Sequence, residues 1–369
     1  MDQSKIRLAI LCGGRSTEHE VSVCSARNVY DAIDKTKYDV ALVRIEKSGA
    51  WTLLHSAADL QAAPGFERFT LAGSEESTVQ GSSMLQTIAS SPLEKEIDVV
   101  FPLIHGAFGE DGCLQGFLRL LNIPFIGTSV LGSAVGMDKD VMKRLLNHAG
   151  ISTARFRVIT DPISTSFDEH VQEFGTPLFV KPSNAGSSVG ISKVTTSEGF
   201  IQAVRAALQF DEKVLVEECI KGRELECGVL GNEKPEASLV GEVVVNDEFY
   251  SYEAKYVNEH GAALKIPAPL PAEVSERVRQ MAVDAFKVLN CAGMARVDFF
   301  LSDDGRVLLN EINTVPGFTN ISMFPLLWEA TGVSYSELVD RLVELALQRH
   351  ARQQGLAYDI KQTIPLPET

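Results

Sequence analysis

Residues 294–313 read Met294-Ala-Arg-Val-Asp-Phe-Phe-Leu-Ser-Asp-Asp-Gly-Arg-Val-Leu-Leu-Asn-Glu-Ile-Asn313, two apolar-rich runs joined by Asp-Asp-Gly. Side chains alternate along a strand with period two, so Arg296 and Asp298 share one face, and Leu309, Glu311 and Asn313 share another. Asp-Gly favours a two-residue type I′ turn. With Asp304-Gly305 at its centre, the hairpin sets Asp298 opposite Glu311 and Arg296 opposite Asn313. Directly opposed Cβ atoms lie about 4.5–5.5 Å apart, and two carboxylates that close repel unless a cation stands between them. A divalent metal fits, with Asn313 adding a neutral oxygen; Mg²⁺ commonly takes one or two carboxylates together with substrate phosphates and water. Two such ions about 3.5–4 Å apart could share Glu311.

The rest of the chain frames this hairpin in a mixed α/β architecture, α+β in part. Residues 6–12 (IRLAILC) are an apolar strand ending at Gly13-Gly14, a helical pattern runs through Val21 to Ile33, and strands are expected at 38–45, 97–104 and 123–127 around a helix at 112–121. Strand–helix alternation of this kind indicates a mostly parallel sheet. The stretch at about 46–95, with 73–91 rich in Ser, Thr, Gly and Glu, reads as an insertion. A second unit opens near 128 with a helix at 138–149 closed by Gly150, followed by strands at 176–181 and 213–217. A third has strands near 225–230 and 238–245, a long loop at about 246–270, a helix at 272–290, the hairpin, and a helix at 334–349 opened by the capping box Ser334-x-x-Glu337. The domain boundaries are thus expected at 1–127, 128–220 and 221–369.

Composition narrows the function. The chain has 369 residues, 45% hydrophobic and 22% charged, and 34 basic against 49 acidic residues give a net −15. Binding to nucleic acid or an anionic membrane is not expected at that charge. The opening twelve residues lack the form of a signal peptide, and no run approaches the ~18 apolar residues of a membrane span. The six cysteines, without a CxxC, read as reduced core thiols of a cytoplasmic protein. A nucleoside triphosphate would bring about four negative charges and need local cations. Lys181 precedes a glycine-rich loop, Pro182-Ser-Asn-Ala-Gly-Ser-Ser-Val-Gly190, whose amides can cradle phosphate, and Lys139 and Lys255 could add charge. Neither a Walker A motif nor GxGxxG occurs in the chain, which counts against an NAD-dependent oxidoreductase.

In order along the chain stand Gly13-Gly-Arg-Ser-Thr-Glu18-His-Glu-Val-Ser22, His105-Gly-Ala-Phe-Gly-Glu-Asp-Gly112, Met137-Asp-Lys139, the loop 181–190, Glu253-Ala-Lys-Tyr256, Arg296-Val-Asp298 and Asn310-Glu-Ile-Asn-Thr-Val-Pro-Gly317. This series resembles the D-alanine–D-alanine ligases of the ATP-grasp superfamily, in their longer form, over nearly the whole chain. The resemblance implies a Rossmann-like N-terminal domain before a two-subdomain ATP-grasp fold. It also implies ATP-dependent joining of two D-alanines through an acyl phosphate, feeding peptidoglycan synthesis. Carried over position by position, it places Glu18 on the first ammonium and His105 near the first carboxylate. Lys139 and Lys181 fall on the α- and β-phosphates, Lys255 on the γ-phosphate, and Glu217 and Glu224 on adenine and ribose. Asp298, Glu311 and Asn313 would ligate two Mg²⁺, with Mn²⁺ as an alternative. Arg296 and the Gly317 amide would form the oxyanion site, and Ser322 would take the second carboxylate. Ser187 and Tyr256 would hydrogen-bond with Glu18, bridging two lid loops over the reacting groups, and a tyrosine at 256 goes with dipeptide formation. A homodimer is also implied. The alternatives are a D-alanine–D-lactate ligase, another ATP-grasp carboxylate–amine ligase, or a regulatory protein on a dead ligase fold.

Overall fold

A computed structural model describes residues 5–54, 57–60, 97–161, 165–186, 189–245 and 262–357. The insertion expected at about 46–95 and the loop at about 246–270 fall mostly outside these. Three sheets follow one another along the chain. The first has the order β3-β2-β1-β4, where β1 (Ile6–Gly13) runs parallel to both β2 (Tyr38–Ile45) and β4 (Val99–Pro102), and β3 (Trp51–Leu54) lies antiparallel on β2. From Leu8 to Cys12 β1 is apolar at every step because both its faces are covered there. Leu8, Ile10 and Cys12 join the core under α1 (His19–Ala32), while Ala9 and Leu11 pack on the side of α2 (Cys113–Leu120). The expected strand at 123–127 is reduced to a single bridge from Phe125 to Val100; Pro124 can donate no ladder hydrogen bond and Gly127 turns the chain at φ +92°.

Two short helices, α3 (Val130–Met137) and α4 (Lys139–His148), lead into the second sheet. Asp138 caps α4, accepting the N–H groups of Asp140 and Val141. That sheet is antiparallel in the order β5-β8-β6-β7, from β5 (Phe156–Ile159), β6 (Leu178–Pro182), β7 (Ser192–Val194) and β8 (Val214–Glu218). Its core is closed by α5 (Phe167–Phe174) and α6 (Ser197–Ala207), through Phe174, Phe200 and Val204.

The third sheet is antiparallel, β11-β10-β9-β12-β13, from β9 (Gly222–Gly231), β10 (Glu236–Val245), β11 (Ala262–Lys265), β12 (Gly293–Ser302) and β13 (Val307–Asn313). Leu225, Cys227, Ala295, Val297 and Phe299 face α7 (Ala272–Val288) and meet its Val278, Ala282 and Phe286. By strand alternation, Glu224, Glu226, Arg296 and Asp298 must lie on the opposite face. Part of that face is taken by α8 (Met323–Thr331), which comes so near that a Cβ on Gly228 would stand 2.9 Å from Trp328 Nε1. The last helix, α9 (Tyr335–Gln354), packs on the first sheet, with Leu338, Leu342 and Val343 in the same core as β1.

Two expectations need correction. Cys12, Cys227 and Cys291 are buried, but Cys24 and Cys113 are exposed and Cys219 is half-buried, so only half of the thiols are core groups. The hairpin turn is not a two-residue turn either. Leu301 pairs with Val307, Ser302 N–H donates to Arg306 O, and Asp303, Asp304 and Gly305 form a three-residue loop with Gly305 at φ +84°. An irregularity beside Asn310 then shifts the ladder by one residue, and Asp298 opposes Glu311 and Arg296 opposes Asn313 as the sequence indicated.

Candidate active site

The open face of the third sheet carries charge in rows. Glu226, Asp298 and Glu311 stand side by side on β9, β12 and β13, and Gly228, Arg296 and Asn313 occupy the next row. Three acids in one row would repel strongly in a half-buried setting, and two cations answer them. Arg296 grips Asp298 with both arms, Nε to Oδ1 at 2.8 Å and Nη2 to Oδ2 at 2.7 Å, and also meets Glu226 Oε2 at 2.9 Å. Lys139 lies 3.4 Å from Glu311. Arg296 therefore pairs with Asp298 and with Glu226, an acid the sequence reading did not single out. Its signal was there in the alternation of Glu224 and Glu226 along β9.

The glycine-rich loop is docked on the start of α4. Lys139 N–H donates to Ser183 O, Lys139 Nζ donates to Ala185 O at 2.7 Å, and Ser183 Oγ donates to Asp138. This brings Gly186 over Glu18, whose Oε2 would stand 3.3 Å from a Cβ at that glycine. One cleft thus gathers Glu18, His105, Lys139, Arg296, Glu311, Asn313, Gly317 and Ser322. Lys181 and Glu217 sit apart from it in the second sheet, in a buried triad: Glu217 Oε1 is 2.8 Å from Lys143 and its Oε2 is 2.8 Å from Lys181. Burial opposes ionisation of Glu217, but the two lysines outweigh it and hold the carboxyl below its ordinary range. Burial pushes the Lys143 ammonium down to about 8, with Glu217 opposing. Glu224 is half-buried on β9, opposite Phe300. Ser187, Lys255 and Tyr256 lie outside the described residues.

His105 is a clamp for the loop after β13. Its Nδ1 is 2.9 Å from Val315 O, so that nitrogen carries the proton, and its Nε2 faces Ser25 Oγ at 3.4 Å. Ser25 Oγ in turn accepts Phe318 N–H at 3.1 Å. Burial keeps the imidazole neutral against the pull of Glu18, which matches this pattern of one donor and one acceptor nitrogen. Both ring nitrogens are thus engaged with the protein, while His105 also lines the cleft beside Glu18. The loop after β13 contains Gly317, whose N–H has no acceptor among the described residues. A Cβ at Gly317 would lie 2.7 Å from Ser322 Oγ, the hydroxyl that accepts Thr319 N–H at 2.9 Å at the start of α8.

Glu110, inside the His105–Gly112 block, also escaped the sequence reading. It is 8% exposed, and burial, reinforced by Glu18, raises its carboxyl to about 8. One oxygen accepts Gly106 N–H at 2.8 Å and the other has no partner among the described residues.

The donor set suits a hard cation, since Asp298 and Glu311 are facing carboxylates and Asn313 Oδ1, among the described residues, accepts only Val315 N–H at 3.0 Å, leaving a lone pair. Among the described residues no three His, Cys, Asp or Glu side chains group as a complete metal cage. A cation here would need further ligands from outside the protein, as Mg²⁺ bound with a nucleotide has.

Comparison with known proteins follows the same chain order. A family model described as D-ala D-ala ligase N-terminus matches residues 7–128, and one described as D-ala D-ala ligase C-terminus matches 145–344. The chain is 50% identical over 360 residues to D-alanine–D-alanine ligase A of Salmonella typhimurium, covering 96% of this chain and 99% of that protein. It is 50% identical over 359 residues to the D-alanine–D-alanine ligase of Oceanobacillus iheyensis, covering 95% and 98%. Solved structures agree in fold. The D-alanine–D-alanine ligase of Coxiella burnetii superposes with a TM-score of 0.78 at 36% identity, over 95% of this chain and 96% of that one. The VanG D-Ala:D-Ser ligase of Enterococcus faecalis gives 0.76 at 31%, over 93% and 100%. The ATP-complexed D-alanine–D-alanine ligase of Bacillus anthracis gives 0.72 at 27%, over 94% and 99%. With both halves of its length matched, and in the order its motifs foretold, the chain belongs to the D-alanine–D-alanine ligase family.

Proposed function

We propose that this protein joins two D-alanine molecules into D-alanyl-D-alanine with conversion of ATP to ADP and phosphate, supplying a precursor of peptidoglycan. The observation that carries this is the convergence in one cleft of a buried carboxylate (Glu18), a guanidinium (Arg296), a loop-facing lysine (Lys139) and a glycine amide (Gly317) with no acceptor among the described residues. A free carboxylate is a poor electrophile, so the γ-phosphoryl group is first transferred to the carboxylate of one D-alanine. The amino group of the second attacks the acyl phosphate, the tetrahedral carbon collapses, and phosphate leaves.

Each step has residues suited to it. Glu18 holds the first ammonium, and His105 keeps the loop of Gly317 in place. Lys139, Lys181 and Lys255 neutralise the triphosphate, with Glu217 and Glu224 toward adenine and ribose. Two Mg²⁺ ions, or Mn²⁺, held by Asp298, Glu311 and Asn313 would supply charge neutralisation at the nucleotide's terminal phosphates. Arg296 and the Gly317 N–H are aimed where negative charge grows on the tetrahedral centre, the term that most often dominates such catalysis. Ser322 anchors the second carboxylate from the head of α8. By the resemblance, Ser187 and Tyr256 would hydrogen-bond with Glu18 and exclude water, which would hydrolyse the acyl phosphate. The first substrate would then rest on residues 1–127, and ATP between 128–220 and 221–369. The protein acts in the cytoplasm as a homodimer, in keeping with the resemblance; no helix of the described residues is long and apolar enough to cross a membrane.

Phosphate release measured with D-alanine, D-lactate and D-serine, with and without Mg²⁺, tests the proposal. Product analysis should show the D-Ala dipeptide as the main product and none without the metal. Preferential ester formation with D-lactate would instead make it a depsipeptide ligase.

A further inference from the structure

Glu110 combines three properties no residue assigned above has together. It is 8% exposed, it borders the cleft of Glu18 and Arg296, and its Oε1 has no hydrogen-bond partner among the described residues. A carboxyl kept only to cap the Gly106 N–H, which Oε2 does at 2.8 Å, would be better served by a neutral amide. Leaving a buried acid oxygen unpaired costs free energy that capping alone does not repay. Glu18 borders the same glycine: its Oε2 would stand 3.3 Å from a Cβ at Gly106. Two carboxyl groups thus lie beside one backbone position, both on the wall of the same cleft. A group that met both would carry more than one N–H, and a positive charge on it would favour the ionised form of Glu110 that burial and Glu18 disfavour. A primary ammonium has both features, whereas a phosphate or a carboxylate would be repelled.

We propose that Glu110 is a second binding residue for the ammonium of the first D-alanine, which it clamps together with Glu18. This rests on the ligase reading above and deepens it. The clamp makes the first site a detector of amino acids: an acid of the same shape without the ammonium brings no N–H donor to Glu110 Oε1. Glu110 therefore contributes to choosing the substrate as well as to holding it.

The test compares D-alanine with propionate, which keeps the carboxylate and methyl group but replaces the ammonium by hydrogen. Their dissociation constants are measured calorimetrically on the full chain loaded with ADP and Mg²⁺. In Glu110→Gln, which keeps an oxygen for Gly106 N–H, the preference for D-alanine over propionate should fall about 10- to 100-fold. KM for ATP should stay within about twofold of wild type, which also reports that the variant is folded. Glu110→Asp, charged but shorter, should retain part of the preference. A merely structural role would weaken both ligands alike and leave their ratio unchanged; that outcome overturns the proposal. If Glu18→Gln loses the preference while Glu110→Gln keeps it, the ligase reading stands and the Glu110 assignment falls. If the wild-type protein shows no preference and releases no phosphate with D-alanine, the ligase reading falls too.

Discussion

Removing the Ser25 hydroxyl should disturb a site to which Ser25 contributes no ligand-binding atom. Ser25 is fully buried, and its Oγ accepts Phe318 N–H at 3.1 Å while facing His105 Nε2 at 3.4 Å. In Ser25→Ala the Phe318 amide is left buried without a partner, which costs about 1–3 kcal/mol. The His105 contact is long and adds little, so a total of about 2 kcal/mol is expected. For a protein this size that is a fall of a few degrees in Tm. The functional effect should be larger than the stability effect suggests. Val315 O and Phe318 N–H flank Gly317 and are both tied to this relay, so losing one anchor lets the Gly317 amide drift. A misplacement near 1 Å costs about 100-fold in rate, and kcat should fall roughly 10- to 100-fold with KM for ATP little changed. The decisive assay is a double-mutant cycle with His105→Phe, read in both Tm and kcat. If the two residues act as one clamp, the double variant is less damaged than the sum of the singles, with a coupling of about 0.5–3 kcal/mol. Additivity within about 0.5 kcal/mol, together with an unaltered kcat in Ser25→Ala, would refute the relay.

Glu311→Gln should lose nearly all turnover, at least about 100-fold, while unfolding at wild-type temperature, and phosphate-release assays at varied Mg²⁺ would show it; activity near wild type would exclude Glu311 from the metal set. Lys143→Met should raise KM for ATP about tenfold and leave D-alanine binding unchanged, because Glu217 would then draw Lys181 alone, the lysine proposed above to meet phosphate. The pH dependence of stability should show Glu110 directly. Its folded-state carboxyl stands at about 8 against an ordinary 4.5, so between these values the unfolded chain has released a proton that the native protein keeps. Rising pH therefore favours unfolding across that window, by on the order of a few kcal/mol, and levels off above about 8. Glu110→Gln, having no proton to lose, should gain Tm relative to ligand-free wild type as pH rises from 5 to 8; parallel curves for the two proteins would contradict this.

The hairpin shows how a sequence can indicate a contact correctly while the path to it differs. Facing of Asp298 and Glu311 followed from alternation and the Asp-Gly signal, yet the loop holds three residues and the ladder regains its register only at Asn310. Two one-residue departures cancel, and neither carries a local mark, since Asn and Leu occupy a bulge as readily as a regular strand. The apolar run of β1 and the capping serine of α9 were legible for a plainer reason: each depends on neighbours in sequence. What stayed hidden depends on distance along the chain. Glu226 gains meaning only when β9 is set beside β12 and its carboxylate meets Arg296, and His105 becomes a clamp only when Val315, 210 residues later, offers its carbonyl. Lys143 looked like any charged residue in a helix until the second sheet placed Glu217 against it without solvent. Chemistry that a single strand or loop can present is written in residue types and spacing; how charges are shared out among acids is decided by which elements pack together. For this site the sharing matters most. Arg296, already held by Asp298 and Glu226, cannot swing away to stabilise an incoming charge. In the reaction proposed above it would wait in a fixed position for that charge to form, which is the condition under which a preorganised cation lowers a barrier without reorganising.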